Sequence, residues 1–400
     1  MSEWIKAEEY CVSVFDGTHD TPKVTETGYK LVTSKNILSN TLDLNSAYYI
    51  SEEDFVNINK RSKVKQYDIL FSMIGTVGSL YFETSDTIDY AIKNIGVFSC
   101  GNKEKAEWLY YYLQSSYAQQ YIKRYLNGAV QKFLPLKALR EFPVPQFNKE
   151  LHNRIKILLN IDQKIQTNNQ INQELEAMAK TLYDYWFVQF DFPDQNGKPY
   201  KSSGGKMVYT PELKREIPEG WGVEKLGDIT ICHDSKRVPL SSNDRELVKG
   251  KIPYYGATGI MDYVNDYIFD GDYVLMAEDG SVMTEKGSPI LQRISGKNWV
   301  NNHAHVLEPI KNHSCKLLMM LLKDVSVMKI KTGSIQMKIN QENMNKIVVL
   351  AIPLELLFEI NQKLEVIDKQ QLNLIEENKQ LTQLRDWLLP MLMNGQVKVE

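Results

Sequence analysis

Cysteine is scarce in this chain. Cys11, Cys100, Cys232 and Cys315 are its four, and they lie tens of residues apart with no C-x-x-C pair. That spacing fits neither a disulfide framework nor a zinc site and leaves buried or incidental thiols in a cytoplasmic protein. Long apolar runs are missing as well: the most apolar stretch, IVVLAIPLELLFEI, is broken by Pro353, Glu355 and Glu359, and the opening MSEWIKAEEY is polar and acidic. Neither a signal peptide nor a membrane span is expected. Charge of one sign does not dominate, with 47 basic against 50 acidic residues and a net charge of −3. Any contact with nucleic acid must therefore rest on local patches. Catalytic signatures are absent too. The sequence contains no G-x-G-x-x-G, P-loop, H-E-x-x-H or G-x-S-x-G, and no Asn/Asp-Pro-Pro-aromatic motif of amino-methyltransferases. A free-standing enzyme is the least expected reading.

What is present is a repetition. Gly128-Ala-Val-Gln131 and Gly333-Ser-Ile-Gln336 stand 205 residues apart (333 − 128), and each leads into alternating apolar positions and then a long polar helix. Four hundred residues exceed what one hydrophobic core usually organises, so two or more domains are the default. The match continues upstream. Tyr67-Asp-Ile-Leu-Phe-Ser-Met73 pairs with Gly271-Asp-Tyr-Val-Leu-Met-Ala277, and glycines follow each, Gly75 and Gly78 in one and Gly280 in the other. A short helix is expected from Trp108 and another from Cys315, after segments of short β-branched and aromatic runs.

Downstream of each copy, apolar residues recur at a three/four spacing. They are Leu151, Ile155, Leu158, Ile161, Ile165, Ile171, Leu175, Met178 and Leu182, then Leu357, Ile360, Leu364, Ile367, Leu374, Leu381, Leu384 and Leu388. This narrow seam is typical of helices packed along their length, with Asn168, Gln371 and Asn378 as polar seam positions that fix register. Asn148 is the expected N-cap of the first helix, Pro353 suits the first turn of the second, and Asp191-Phe-Pro and Asn394-Gly395 are the stops. Between the helices, a Gly-, Pro-, Ser- and Lys-rich stretch reads as an exposed connection; its Ser202-Ser-Gly-Gly-Lys206 lacks the spacing of a phosphate loop. The order is globular, rod, globular, rod, which a duplicated chain can close into a pseudo-twofold object with antiparallel rods.

The globular segments carry contact chemistry. Lys123, Arg124, Lys132, Lys137 and Arg140 occur without an acid from Tyr121 to Arg140, and Lys323, Lys329, Lys331 and Lys338 face only Asp324 over the matching span. One such patch is usually a solvated face, but its recurrence at the equivalent place favours phosphate contact. Gly-rich loops add candidates for reading bases through amides, hydroxyls and cations. In the first half these are Thr18, His19, Lys23, Ser72, Thr76, Lys93 and Gln131; in the second they are Tyr254, Tyr255, Thr258, Asn301, Asn302, His303 and Gln336. His303 and His305 would share a face on a strand, yet no Cys or carboxylate stands at motif spacing beside them, so polar contact outweighs metal ligation.

Taken together, the two Gly-x-x-Gln stretches, the rods with Ile161-Asp162 and Ile367-Asp368, Tyr183-Asp-Tyr-Trp-Phe187, Lys201-Ser-Ser-Gly-Gly-Lys206, Ile217-Pro-Glu-Gly-Trp221 and Trp299-Val-Asn-Asn-His-Ala-His305 carry a resemblance. Over essentially its whole length the chain resembles the specificity subunit of type I restriction and modification systems. The resemblance implies an α+β fold of two tandem α/β target-recognition domains, each followed by a long helix, the two helices pairing as an antiparallel coiled coil with pseudo-twofold symmetry. The expected segments are 1–147 and 221–352 for the recognition domains, 148–190 and 353–395 for the helices, 191–220 for a linker and 396–400 for a tail. Each recognition domain would read half of a bipartite, asymmetric site in double-stranded DNA, and the helical pair would set the spacer and dock two methyltransferase subunits, with motor-nuclease subunits able to join. S-adenosylmethionine, ATP and Mg would be bound by those partners and none by this chain. One departure is that Trp4-Ile-Lys lacks the Pro-x-Gly-Trp that precedes the second domain, which puts the first domain's opening strand in doubt. A fused restriction-modification system that cuts on both sides of its site, and a coiled-coil scaffold with two binding heads, are the alternative readings.

Overall fold

In the computed structural model the described residues are 4–38, 41–126, 133–333 and 337–396. They form a mixed α+β fold of two compact units, one made of residues 1–167 and 378–400 and the other of 168–377.

The first unit is built on a four-stranded antiparallel sheet in the order Ser13–Asp16, Ile95–Ser99, Ile69–Ser72, Leu80–Phe82. Its central strand Ile69–Ser72 is buried on both faces, and the two-residue period divides the side chains. Ile69 and Phe71 pack with Trp108, Leu109 and Leu113 of helix Lys103–Gln114, while Leu70 packs on the other side with Val32, Ile92 and Val97. The strands that supply Val32 and Ile92, Tyr29–Thr33 and Tyr90–Lys93, pair in parallel, with Tyr48–Ile50 on the outer edge. The helix expected from Trp108 is two helices, Lys103–Gln114 and Ser116–Leu126, because the chain turns at Ser115.

The second unit repeats this plan. Its sheet runs Thr230–Cys232, Ala304–Pro309, Tyr273–Ala277, Leu291–Ile294, all antiparallel. Val274 and Met276 face the larger core with Leu317 and Leu318, whereas Leu275 packs with Phe269, Ile294, Val300 and Val306. The 205-residue shift reaches single hydrogen bonds. Leu134 N donates to Met73 O at 3.0 Å and Ile339 N to Glu278 O at 2.8 Å, both ends displaced by 205; Ala7 N donates to Phe142 O and Leu226 N to Ile347 O, both at 2.8 Å, the acceptors again 205 apart (347 − 142) and the donors 219 apart (226 − 7). The opening strand in doubt is present, since Trp4–Lys6 pairs with Pro143–Pro145 as Gly222–Lys225 pairs with Val348–Ala351. Backbone pairing does not depend on the missing Pro-x-Gly-Trp.

Two long helices, Lys149–Tyr183 and Leu354–Met393, follow the sheets. Asn148 caps the first by accepting from Leu151 N at 2.9 Å, and Leu357 N bonds Pro353 O at 2.8 Å at the start of the second. The first helix leaves through a wider turn, Asp184–Val188, and Phe190 adopts φ 62°. The second ends with Gln396 N on Met391 O, Gly395 N on Leu392 O and Gly395 at φ 70°, the double bond of a left-handed glycine cap. Two seam assignments fail, because Met178 and Leu384 are exposed while their neighbours Ala179 and Arg385 face inward. A helix of 3.6 residues per turn drifts against a 3.5-residue repeat. In the first unit Leu151, Ile155 and Leu158 share a core with Leu392, and Asp162 accepts from Arg385 Nη1 at 3.0 Å. In the second, Asn168 donates to Glu377 and Gln371 donates to Asn172 O.

Residues 191–220, which read as a linker, contain more structure than their composition announces. Phe192 stacks on Tyr200 and Trp221, with ring centroids 4.8 and 5.0 Å away, and Met207–Thr210 pairs with Arg215–Pro218 in a hairpin. The aromatic residues among the glycines and lysines anchor the stretch to the second unit.

Candidate nucleic-acid interface

The loops that carry the candidate residues gather at one end of each four-stranded sheet. In the first unit this end is marked by Asp16, Ile95 and Ser72, which meet across the strands. The chain leaves Asp16 through Gly17, where a side chain is impossible because a Cβ would lie 2.4 Å from Ile92 O. Thr18 then bonds Ile92 O and accepts from Asn94 N. His19 Nδ1 lies 2.9 Å from Asn94 Oδ1 and its Nε2 3.0 Å from Asp16 Oδ2. Lys93 donates to Thr21 Oγ1, and Lys23 is exposed farther along the loop. Arg61, at the C-terminal end of helix Glu52–Ser62, donates from Nη2 to Gly17 O at 3.2 Å and stands 3.7 Å from Asp16. Arg61 and Asn94 were missed in the sequence reading. The signal for Arg61 was the acid-free basic run Lys60, Arg61, Lys63 and Lys65.

Beside this loop, Ser72 begins a turn through Gly75. Gly75 and Gly280 both have φ 74° and stand 205 residues apart (280 − 75), so the two units use the same left-handed turn. Thr76 is exposed on it, but Ser72 is fully buried, its hydroxyl donating to Ile74 O at 3.2 Å. Ser72 is thus a turn former and offers nothing to a ligand. Lys123 and Arg124 are exposed in the last turn of helix Ser116–Leu126, where cations also suit the helix dipole. Gln131 and Lys132 lie outside the described residues.

In the second unit the turn Gly256 to Gly259 presents Thr258 outward, and Asn301 N donates to Tyr255 O beside it. Tyr255 is half-buried. Tyr254 is buried, with its hydroxyl accepting from Leu240 N at 2.9 Å. Asn301 is buried as well, its Oδ1 accepting from His303 N at 2.8 Å. Both shape the loop from within and are withdrawn as contact residues. Asn302 and His303 are exposed, and His303 Nδ1 lies 2.6 Å from Asp279 Oδ1. Lys338 is paired with Glu278 at 3.0 Å. Lys329 is exposed and Lys331 half-buried; Gln336 lies outside the described residues.

His303 and His305 do not share a face, because the strand begins at Ala304 and His303 belongs to the preceding turn. The His305 ring is enclosed, with Nδ1 2.5 Å from Asp234 Oδ2 and Nε2 2.8 Å from Ile339 O. Arg237 joins Asp234, 3.3 Å away, to Glu278, 2.7 Å away. Burial alone would raise the Asp234 carboxyl, but hydrogen bonds from His305 and Cys232, with the charges of His305 and Arg237, hold it below its ordinary value. Burial likewise opposes ionisation of Glu278, and hydrogen bonds from Arg237 and Lys338 outweigh it. Burial, then the Asp234 charge, pushes the Cys232 thiol up to about 12. Cys232, Asp234 and His305 are the set of three metal-type ligands found within 4.8 Å of one another among the described residues. The Arg237 guanidinium already supplies positive charge there, so the group is a satisfied hydrogen-bonded network.

The duplicated sheet, the repeated turn and the loops at one end define a tandem recognition protein. The chain belongs to the type I restriction modification DNA specificity domain family, whose model matches residues 20–177 and again 218–383. It is 25% identical over 317 residues to the MjaIX specificity subunit, a type I restriction enzyme component of Methanocaldococcus jannaschii, covering 74% of this chain and 70% of that one. It is 23% identical over 411 residues to the type I HindI specificity subunit of Haemophilus influenzae, covering 84% and 88%. The fold also resembles the crystal structure of a type I restriction-modification S subunit from M. genitalium, with a TM-score of 0.51, 16% identity and coverage of 98% and 96%.

Proposed function

We propose that this chain is the DNA-specificity subunit of a type I restriction-modification complex, each of its two units reading one half of a bipartite, asymmetric site. The observation that carries this reading is the double family match over two halves that repeat the same turn, sheet and backbone hydrogen bonds. Two half-sites require two readers, and exposed hydroxyls, imidazoles and cations at one end of each sheet are suited to base edges and phosphates. The long helices pair as an antiparallel coiled coil that sets the unread spacer. Exposed apolar side chains along the second helix, among them Val366, Ile375 and Trp387, suit docking of methyltransferase subunits. The chain performs no chemistry itself; S-adenosylmethionine, ATP and Mg are bound by its partners in the cytoplasm.

Methylome sequencing of cells that carry this chain with its methyltransferase tests the reading. The expected result is one methylated motif of two defined parts around an undefined gap. A continuous motif, or the same methylation without this chain, overturns it.

A further inference from the structure

The two units use one carboxylate in opposite ways. The sheet register places Asp16 opposite Gly96, and Asp234 at the same point beside His305. In the second unit that carboxylate is consumed internally by His305 and by Arg237, whose side chain is only 11% exposed. In the first unit Gly96 removes the imidazole, and Leu139 fills its place so tightly that a Cβ on Gly96 would lie 2.2 Å from Leu139 Cδ1. Asp16 therefore turns to the solvent side, to the His19 imidazole and the Arg61 guanidinium, and 67% of the Arg61 side chain is exposed.

We propose that Arg61 reads a guanine in the half-site recognised by the first unit, with Asp16 as its positioning residue; this rests on the two-reader function proposed above. The guanidinium donates one Nη2 hydrogen to Gly17 O at 3.2 Å with Asp16 3.7 Å from the same nitrogen, and among the described residues Nε and Nη1 have no hydrogen-bond partner, so the second Nη2 hydrogen and a neighbouring N–H remain as one parallel pair. A planar group anchored on one side offers its remaining N–H donors in a fixed direction. That is what the paired O6 and N7 acceptors of guanine require. Neighbouring Lys93 is a poorer reader, since its ammonium is a point charge already bonded to Thr21. Arg237, which stands three residues after Asp234 as His19 stands after Asp16, is locked inward by Glu278 and Ala304 O, so Asp234 holds no exposed arginine and the device belongs to one half-site alone.

The test uses the full chain assembled with its methyltransferase in cells, read by methylome sequencing. Arg61→Ala should relax one guanine-containing base pair in one half-site, with a roughly 5- to 150-fold loss of preference there, and leave the other half-site and the gap unchanged. Arg61→Lys keeps the charge without the forked donors and should relax the same base pair. Asp16→Asn should relax that position to a smaller degree. An unchanged motif for Arg61→Ala and Arg61→Lys overturns the proposal, as does a uniform fall in methylation that Arg61→Lys restores, which marks a phosphate contact. A wild-type chain that yields no bipartite motif fails earlier, and then the two-reader function falls together with the guanine contact.

Discussion

Lys123 and Lys329 illustrate what a residue-scale reading can and cannot extract from sequence. Both project from the ends of short helical turns, exposed and without an ion-pair partner among the described residues, as their acid-poor surroundings suggested. Replacing either by Ala should weaken binding of the assembled complex to cognate and non-cognate DNA alike, and lower the log–log salt slope by about 1. A changed methylation motif with an unchanged slope would make that residue a base reader. The same reasoning misplaced Ser72, Tyr254 and Asn301, because composition reveals which groups a loop owns but not which of them fold inward. His305 was also indistinct in sequence, since its partners Asp234, Glu278 and Ile339 lie far away along the chain. Removing it leaves the half-buried Asp234 short of its closest partner, and His305→Ala should destabilise the protein by about 3 kcal/mol near neutral pH. Asp234 has a depressed folded pKa, so its contribution is present above the ordinary carboxylate range and lost as pH falls through the folded value. The gap between wild type and variant in urea unfolding should therefore be full at pH 7 and shrink below about pH 4. An equal gap at both pH values would place the stabilisation elsewhere.

Among the elements, the long helices and their ends were the most legible, because a seam sustained over many turns outweighs local propensity. Asn148 caps as its side chain suggests, and Gly395 stops the second helix in the left-handed conformation. The phase within the seam was less legible. A helix that drifts against the heptad hands the inward position from Leu384 to Arg385, and the polar partner that makes this acceptable, Asp162, stands more than two hundred residues away. Asp162 also accepts from Tyr111 Oη, so one carboxylate joins helix Lys103–Gln114 and both long helices within the first unit. Asp162→Ala should leave the half-buried Arg385 guanidinium undercompensated and reduce stability by about 2 kcal/mol, whereas Gln166→Ala on the exposed face should change it by less than about 0.5 kcal/mol. Thermal unfolding of the two variants measures this, and equal midpoints would remove Asp162 from the account of helix packing.

For the molecule as a whole, the 205-residue shift read from Gly128 and Gly333 proved deeper than the motif that exposed it. The first motif, residues 128–131, and residues 334–336 of the second lie outside the described residues, yet the shift reappears in the turn glycines, in the central sheet strand and in individual hydrogen bonds. Such a repeat was legible because each copy must solve the same packing problem. The His305 network, which has Gly96 and Leu139 in its place in the first unit, was not, because it marks where the copies have parted. If the helices are a ruler between two independent readers, inserting one heptad into each, around 167–172 and 372–377, preserves the seam and adds about 10 Å, or roughly 3 base pairs of duplex. The added twist rotates one reader about the DNA, so strain will favour a smaller increase or abolish binding. Methylome sequencing of cells carrying the lengthened chain and its methyltransferase is the most direct measurement. The account predicts that both half-site sequences persist in any active variant while the gap between them grows; an active variant that keeps the original gap contradicts it.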